Sequence, residues 1–225
     1  MPEINLVDVA TYYKGEPQQK EALQLLQQSM PDSLLQRKAA WYQKWSEKPE
    51  VTTENPLPVP YQSQRDNASG TGYRECFSSS CAMVAMYWGK VNSDDEYNLI
   101  RQKYGDSTDA QAQLRALRSL GLNAEFRTNG DVDALKEQID VGRPTPVGWL
   151  HHGSGHGTGG GHYAVIIGYD ASGWWVNDPY GDADLVNGGY PGSTNGKKLH
   201  YSYGNWNPRW MVDGPGTGWF VDIWG

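Results

Sequence analysis

The chain has few cysteines and no long apolar run. Its two cysteines, Cys76 and Cys81, are too few for a fold held together by several disulfides. If both lie on one helix, five residues separate them by about 7.5 Å along the axis. A disulfide needs a Cα separation of about 4.4–6.8 Å, so we expect both thiols to be free. No stretch approaches the roughly 18 apolar residues that a membrane span requires.

Positive charge is also scarce. The 19 Lys and Arg residues against 26 Asp and Glu residues give a formal net charge of −7. This balance argues against nucleic acid or an anionic membrane surface as a partner. The first residues, Met1 to Asn5, lack the basic start and apolar run of a signal peptide. We therefore expect synthesis in the cytoplasm without a signal peptide.

The sequence pattern divides the chain into three parts. Residues 1–50 carry leucines at helical spacing between Gln, Lys and Glu, and this predicts a helical N-terminal segment. Residues 51–60 are rich in proline and lack periodicity, as is typical of a linker. Residues 61–225 mix helical and extended patterns, and we assign them to one domain.

Helices come first in this domain and strands dominate later. Periodicity predicts three helices, over 78–88, 109–120 and 132–141, and five strands, over 123–128, 146–150, 162–169, 173–177 and 218–223. Such an order predicts an α+β fold in which helices pack on an antiparallel sheet. Two regions rich in glycine and polar residues, 153–161 and 180–205, are predicted to be loops.

Cys76 lies where a glycine-containing loop gives way to a helical pattern. A thiol is mostly protonated at neutral pH, so a nucleophilic cysteine needs a feature that stabilises its thiolate. The N-terminus of a helix supplies one through its unpaired N–H groups and its dipole, and a histidine partner supplies another. Cys81 falls among apolar residues of the same helix and is predicted to belong to the core.

His162 stands at the head of an apolar strand, and Asp178 directly follows the next strand. The carboxylate of Asp178 can accept one ring N–H of His162, which fixes the tautomer and stabilises the imidazolium. Asn177 is the nearest alternative for this role. A cysteine, a histidine and an acid in this order are the parts of an activated thiol nucleophile, so the sequence predicts a cysteine peptidase.

Four short segments resemble the C39-like cysteine peptidases, which have the papain fold. They are residues 61–66, Cys76 with Ala82 and Met83, residues 161–169, and residues 177–179. The resemblance implies a papain-like fold over roughly residues 57–222, a triad of Cys76, His162 and Asp178, and no cofactor.

The same resemblance implies that a glutamine upstream of the cysteine donates to the oxyanion. Gln64 fits this position better than Gln62, because the family tends to have Ser-Gln there. One departure concerns Phe77, since most relatives have glycine directly after the nucleophile. We expect Phe77 to pack beside the site.

Two weaker resemblances concern the substrate. Residues 182–210 resemble C39-like domains of bacteriophage lysins and some cyanobacterial proteins, and residues 12–19 resemble a lead found before cell-wall-lytic domains. They imply an endolysin that cuts peptidoglycan stem peptides or cross-bridges, released during lysis or carried in a virion. The alternatives are a leader-peptide or protein-processing peptidase, an acyl transferase, and a non-catalytic module that binds a peptide or glycan.

Residues 1–50 are either an inhibitory pro-segment or a packing element, and Trp41 and Trp45 favour packing.

Two groups of side chains could in principle bind a metal. His151, His152 and His156 form a cluster flanked by glycines, but a flexible loop is a poor frame for tetrahedral zinc. A second group, consisting of Asp182, Asp184 and Asn187, lacks the twelve-residue pattern of an EF-hand. We therefore expect no metal.

Overall fold

The structure is a computed structural model, and it describes residues 55–151 and 160–225. It has five α-helices in these ranges: α1 (Cys76–Tyr87), α2 (Asp94–Arg101), α3 (Ala110–Ser119), α4 (Val132–Asp140) and α5 (Tyr203–Trp210). It has six strands there: β1 (Asn123–Gly130), β2 (Thr145–Leu150), β3 (Gly161–Tyr169), β4 (Gly173–Asn177), β5 (Leu199–Ser202) and β6 (Gly218–Trp224). None of these helices is long and apolar enough to cross a membrane. The helical segment predicted for residues 1–50 lies outside the described residues.

A single antiparallel sheet with the strand order β1-β6-β2-β3-β4-β5 is the frame of the described part. Helices α1 and α5 pack on opposite faces of this sheet. His162 and Tyr163 are neighbours on β3, so their side chains point to opposite faces. Tyr163 stacks on Phe77 of α1. Trp149 pairs with His162 across β2 and β3 and packs against Trp206 of α5.

Helix α1 is buried on almost every side, from Phe77 to Ala85. Its serines and alanines are small, so the helix can approach β2, β3 and α2 closely. On the opposite face of the sheet the core is built from large rings, and Trp149, Trp174, Trp206 and Trp210 are all buried. Because α1 is fixed by this packing, its first residue has a defined position at the edge of the core.

All eight predicted helices and strands are confirmed, with ends within two residues of the prediction. The antiparallel arrangement is confirmed as well. Residues typical of helix ends are also found at the ends of these helices. Asp109 caps α3 by accepting from the Gln111 N–H, and the glycines that follow α1 and α3, Gly89 and Gly121, have positive φ.

Three elements were not predicted, and the loop predicted for 180–205 is wrong over its last part. Strand β5 and the start of α5 lie within that range. Strand β5 has only four residues, and α5 contains a glycine, two asparagines and a proline, which are poor helix formers. Burial of Trp206 and Trp210 therefore determines this helix, and tertiary packing outweighs local propensity. The third element, α2, is short, although Ser93 caps it in a recognisable way.

Residues 55–60, at the end of the predicted linker, lie along β3. Asn55 exchanges two hydrogen bonds with the backbone of Tyr169, and the Leu57 N–H donates to Ile167 O at 2.7 Å. Leu57 and Val59 are buried. A Cβ at Gly168 would collide with Asn55 and Pro56, so glycine is needed where this segment crosses the strand.

Candidate active site

Cys76 is the first residue of α1 and is half-buried, so its thiol is accessible from one side. The turn before the helix is closed by the Glu75 N–H, which donates to Gly72 O at 3.1 Å. The side chain of the N-cap residue, Glu75, does not cap the helix, and Cys76 lies at the positive end of the helix dipole. Cys81, one and a half turns further on, is fully buried, and burial raises the pKa of its thiol. The two thiols are free, and Cys81 is confirmed as a core residue.

The residue before the thiol, Glu75, is a buried carboxylate that the sequence analysis did not identify. Its oxygens accept hydrogen bonds from Asn67 Nδ2 at 2.6 Å, from Ser69 Oγ at 2.8 Å and from Thr71 Oγ1 at 2.8 Å. The guanidinium of Arg101 lies 3.8 Å from the same carboxylate. These contacts attach the loop over residues 67–75 to α2, and they hold Cys76 at a fixed place at the start of its helix.

His162 lies near the start of β3 and is 4% exposed. Its Nε2 is 2.8 Å from Asp178 Oδ1, and Cys76 is close enough to the ring to influence its protonation. Burial lowers the pKa of His162, but the Asp178 carboxylate and Cys76 together raise it to about 10. The raised pKa favours the imidazolium form of this ring at neutral pH.

Asp178 follows β4 and is fully buried. Besides His162, its Oδ1 accepts the Tyr180 N–H at 2.9 Å, and its Oδ2 accepts the Tyr190 hydroxyl at 2.9 Å. The alternative acid partner, Asn177, hydrogen bonds instead to the backbone of Val59 and Lys198. The hairpin of β3 and β4 thus explains why His162 and Asp178 meet, since antiparallel pairing brings the start of β3 beside the end of β4.

Gln64 is buried, and its Nε2 donates to Gly72 O, the carbonyl that also closes the turn before Cys76. Its backbone N–H donates to Pro179 O at 2.9 Å, which links it to the Asp178 turn as well. A Cβ at Gly72 would collide with the Gln64 carbonyl, so the close approach of the two loops requires glycine. Gln62, the alternative, donates to the neighbouring Tyr61 O at 3.0 Å.

Phe77, the departure from the family pattern, packs beside the site as expected. Its ring stacks on Tyr163 with centroids 3.7 Å apart and planes inclined by 3°. The tyrosine ring in turn lies over Gly148, where a Cβ would collide with it. The larger side chain at position 77 is therefore accommodated by a partner ring and a glycine on the adjacent strands.

Some of the side chains considered as metal ligands lie in the described part of the chain and others do not. His152 and His156 lie outside the described residues. Asp184 closes a turn, since its carboxylate accepts from the backbone of Val186 and Asn187 and from the Asn187 side chain. Within residues 55–151 and 160–225, no three His, Cys, Asp or Glu side chains form a group that could hold a metal ion.

Comparison with known proteins agrees with this geometry. A family model described as the Peptidase_C39 like family matches residues 56–207. None of the curated proteins matches the chain.

Solved structures are also similar to the chain, including the following three. A C39-like peptidase from Bacillus anthracis is 14% identical with a TM-score of 0.51, covering 75% of this chain and 95% of that chain. A double glycine motif protease from an AMS/PCAT transporter, solved with the leader peptide, is 19% identical with a TM-score of 0.48, covering 77% and 95%. The peptidase domain of the Streptococcus bi-functional ABC transporter ComA is 19% identical with a TM-score of 0.46, covering 67% and 91%. The predicted α+β, papain-like fold is confirmed.

Proposed function

The chain belongs to the Peptidase_C39 like family and is a cysteine peptidase, and we propose that its catalytic triad is Cys76, His162 and Asp178. One observation carries this assignment. A buried histidine lies 2.8 Å from a buried carboxylate, and a half-buried cysteine at the start of a helix is close enough to raise the pKa of that histidine. This is the arrangement that activates a thiol and returns a proton to a leaving group.

Each residue then has a defined step in peptide hydrolysis. The Cys76 thiolate attacks the carbonyl carbon of the scissile bond, and the electron pair of the C=O moves to the oxygen. As this oxyanion collapses, the imidazolium of His162 gives its proton to the departing amine, and a thioester to Cys76 remains. Neutral His162 next takes a proton from a water molecule, which attacks the thioester and releases the acid. Asp178 keeps the His162 ring oriented and stabilises its charged form during both formation and hydrolysis of the thioester.

Gln64 is assigned to the oxyanion. An amide nitrogen carries two hydrogens, and Gln64 gives one to Gly72 O. The other is the donor that we assign to the developing negative charge. The position supports this role, because Gln64 is tied both to the turn before Cys76 and to the turn after Asp178.

Replacement of Gln64 by alanine is expected to lower kcat by about 10²–10³-fold with little change in KM, as for loss of an oxyanion donor. Gln62→Ala is the matched control, because Gln62 lies two residues away and its amide donates to the neighbouring Tyr61 O. Steady-state kinetics of peptide hydrolysis would measure both. Equal activity of Gln64→Ala and wild type would remove Gln64 from the mechanism.

For the substrate, we propose the peptides of peptidoglycan, cleaved by a phage-type lysin. What supports this is the resemblance of residues 182–210 to lysin domains and of residues 12–19 to a lead found before cell-wall-lytic domains. The described part of the resembling region is folded against the site, since Tyr190 contacts Asp178. Release during lysis or carriage in a virion would bring the enzyme to the cell wall.

The test is digestion of purified peptidoglycan by the wild type and by Cys76→Ala, followed by mass spectrometry of the released fragments. New amino termini from the wild type alone are expected, and they would identify the bond that is cut. Fragments joined rather than shortened would indicate acyl transfer to an amine. If the wild type leaves peptidoglycan intact but cleaves protein or leader-peptide substrates, the lysin proposal fails while the triad stands.

A further inference from the structure

The loop over residues 180–196 covers the buried His162–Asp178 pair with tyrosines. Tyr190 donates its hydroxyl to Asp178 Oδ2 at 2.9 Å, and its ring centroid is 5.4 Å from that of His162. The Tyr180 ring packs edge-on against the Tyr190 ring at 4.8 Å. Burial, with the nearby charge of Asp178, raises the pKa of Tyr190 well above its usual range, so the hydroxyl keeps the proton that it donates.

This loop is anchored at several points. At its base, the Asp178 N–H donates to Gly196 O at 2.9 Å, and a Cβ at position 196 would collide with the Asp178 carbonyl. Directly before Tyr190, the Gly189 N–H donates to His151 O at 2.7 Å, beyond the end of β2. The buried Arg209 of α5 donates both to Leu185 O in the loop and to Leu150 O in β2.

These contacts place a hydroxyl on the oxygen of Asp178 that does not face His162. A carboxylate with one oxygen unpartnered could rotate about its Cβ–Cγ bond, and its other oxygen would then leave the imidazole. Tyr190 prevents this rotation from one side, while the Tyr180 N–H and His162 hold Oδ1 on the other. Tyr201 is also near Asp178, but it lies in the core on β5 and its hydroxyl accepts the Ala183 N–H, so its role is shared with folding.

We propose that Tyr190 is a positioning residue of the triad, which holds Asp178 in register with His162 and whose ring shields that pair from water. This inference rests on the proposed triad. It gives the loop over residues 180–196 a part in catalysis through the hydrogen bond from Tyr190 to Asp178.

The experiment is a double-mutant cycle read by the rate at which iodoacetamide alkylates Cys76 at neutral pH, a reaction that needs no knowledge of the substrate. The proteins are the wild type, Tyr190→Phe, Asp178→Ala and the double variant. Phenylalanine keeps the ring and removes only the hydroxyl. Tyr169→Phe is the matched control, because Tyr169 also donates to an aspartate, Asp140, at 2.8 Å but at the exposed far end of β3. Mass spectrometry assigns the adduct to Cys76.

Tyr190→Phe is expected to alkylate about tenfold more slowly, as loss of a hydrogen bond to a charged group predicts, while Tyr169→Phe matches the wild type. In the Asp178→Ala background the same change should have no further effect, because Tyr190 acts through Asp178. An undiminished effect in that background, or a wild-type rate for Tyr190→Phe, would overturn the proposal. If Asp178→Ala itself reacts as fast as the wild type, the triad fails, which is a different outcome from failure of Tyr190 alone.

Discussion

Cys76→Ala is expected to lower peptide hydrolysis by at least about 10⁴-fold, because removal of the nucleophile of a triad abolishes the covalent route. Cys76, which is half-buried at the start of α1, is the cysteine whose proximity raises the pKa of His162. Alanine lacks the sulfur but leaves the helix intact, so the variant should fold as the wild type does. The measurement is the rate of release of new amino termini from peptidoglycan, with circular dichroism to verify the fold.

Cys81→Ala provides the matched control within the same helix. Cys81 is fully buried, and its thiol stays protonated because burial raises its pKa. This variant should retain the hydrolytic rate to within about threefold and lose stability only by about 1 kcal/mol for the small cavity. Iodoacetamide should label the wild type and Cys81→Ala but not Cys76→Ala. Hydrolysis by Cys76→Ala at the wild-type rate would exclude Cys76 as the nucleophile.

The sequence was most informative where a regular period continues for several residues. The apolar run of β3 and the shorter run of β4 identify two neighbouring strands, and their antiparallel pairing brings His162 and Asp178 together. The start of α1 is similarly marked by the change from a glycine-containing loop to small and apolar residues. The positions of these three side chains could therefore be predicted from local patterns, together with the resemblance to a family.

The parts that could not be predicted depend on contacts between distant segments without a period. Glu75 is held by side chains from a turn and from α2, and nothing in Arg-Glu-Cys indicates that this carboxylate is buried. Tyr190 lies among glycines and prolines that are typical of an exposed loop, yet it reaches Asp178. Helix α5 forms because its tryptophans are buried, in spite of its composition. In each case tertiary packing determines the local structure, and a single sequence does not show which distant segments pack together.

His162→Gln is expected to lower the alkylation of Cys76 at neutral pH by at least about 10²-fold and peptide hydrolysis by about 10⁴-fold or more, because both the thiolate partner and the proton donor are lost. Glutamine places an amide nitrogen where His162 Nε2 meets Asp178 Oδ1, so the buried carboxylate keeps a donor. His200→Gln is the matched control. His200 forms a similar pair with Asp170 at 3.0 Å, but this pair is partly exposed and lies by the turn that joins β3 to β4.

The pH dependence tests the same residue in the wild type. Because the pKa of His162 is raised from 6.5 to about 10, the imidazolium that protonates the leaving amine persists through neutral pH and is lost only as the pH rises through about 10. The alkaline limb of kcat/KM should therefore lie near that value. The raised pKa of His162 also affects the stability of the folded protein. The ion pair of His162 and Asp178 stabilises the folded protein fully below pH 6.5, and this contribution disappears as the pH rises to about 10. Urea unfolding of the wild type should show this loss of stability, and urea unfolding of His162→Gln should not. An alkaline limb of kcat/KM near pH 6.5 would contradict an imidazolium held between Cys76 and Asp178.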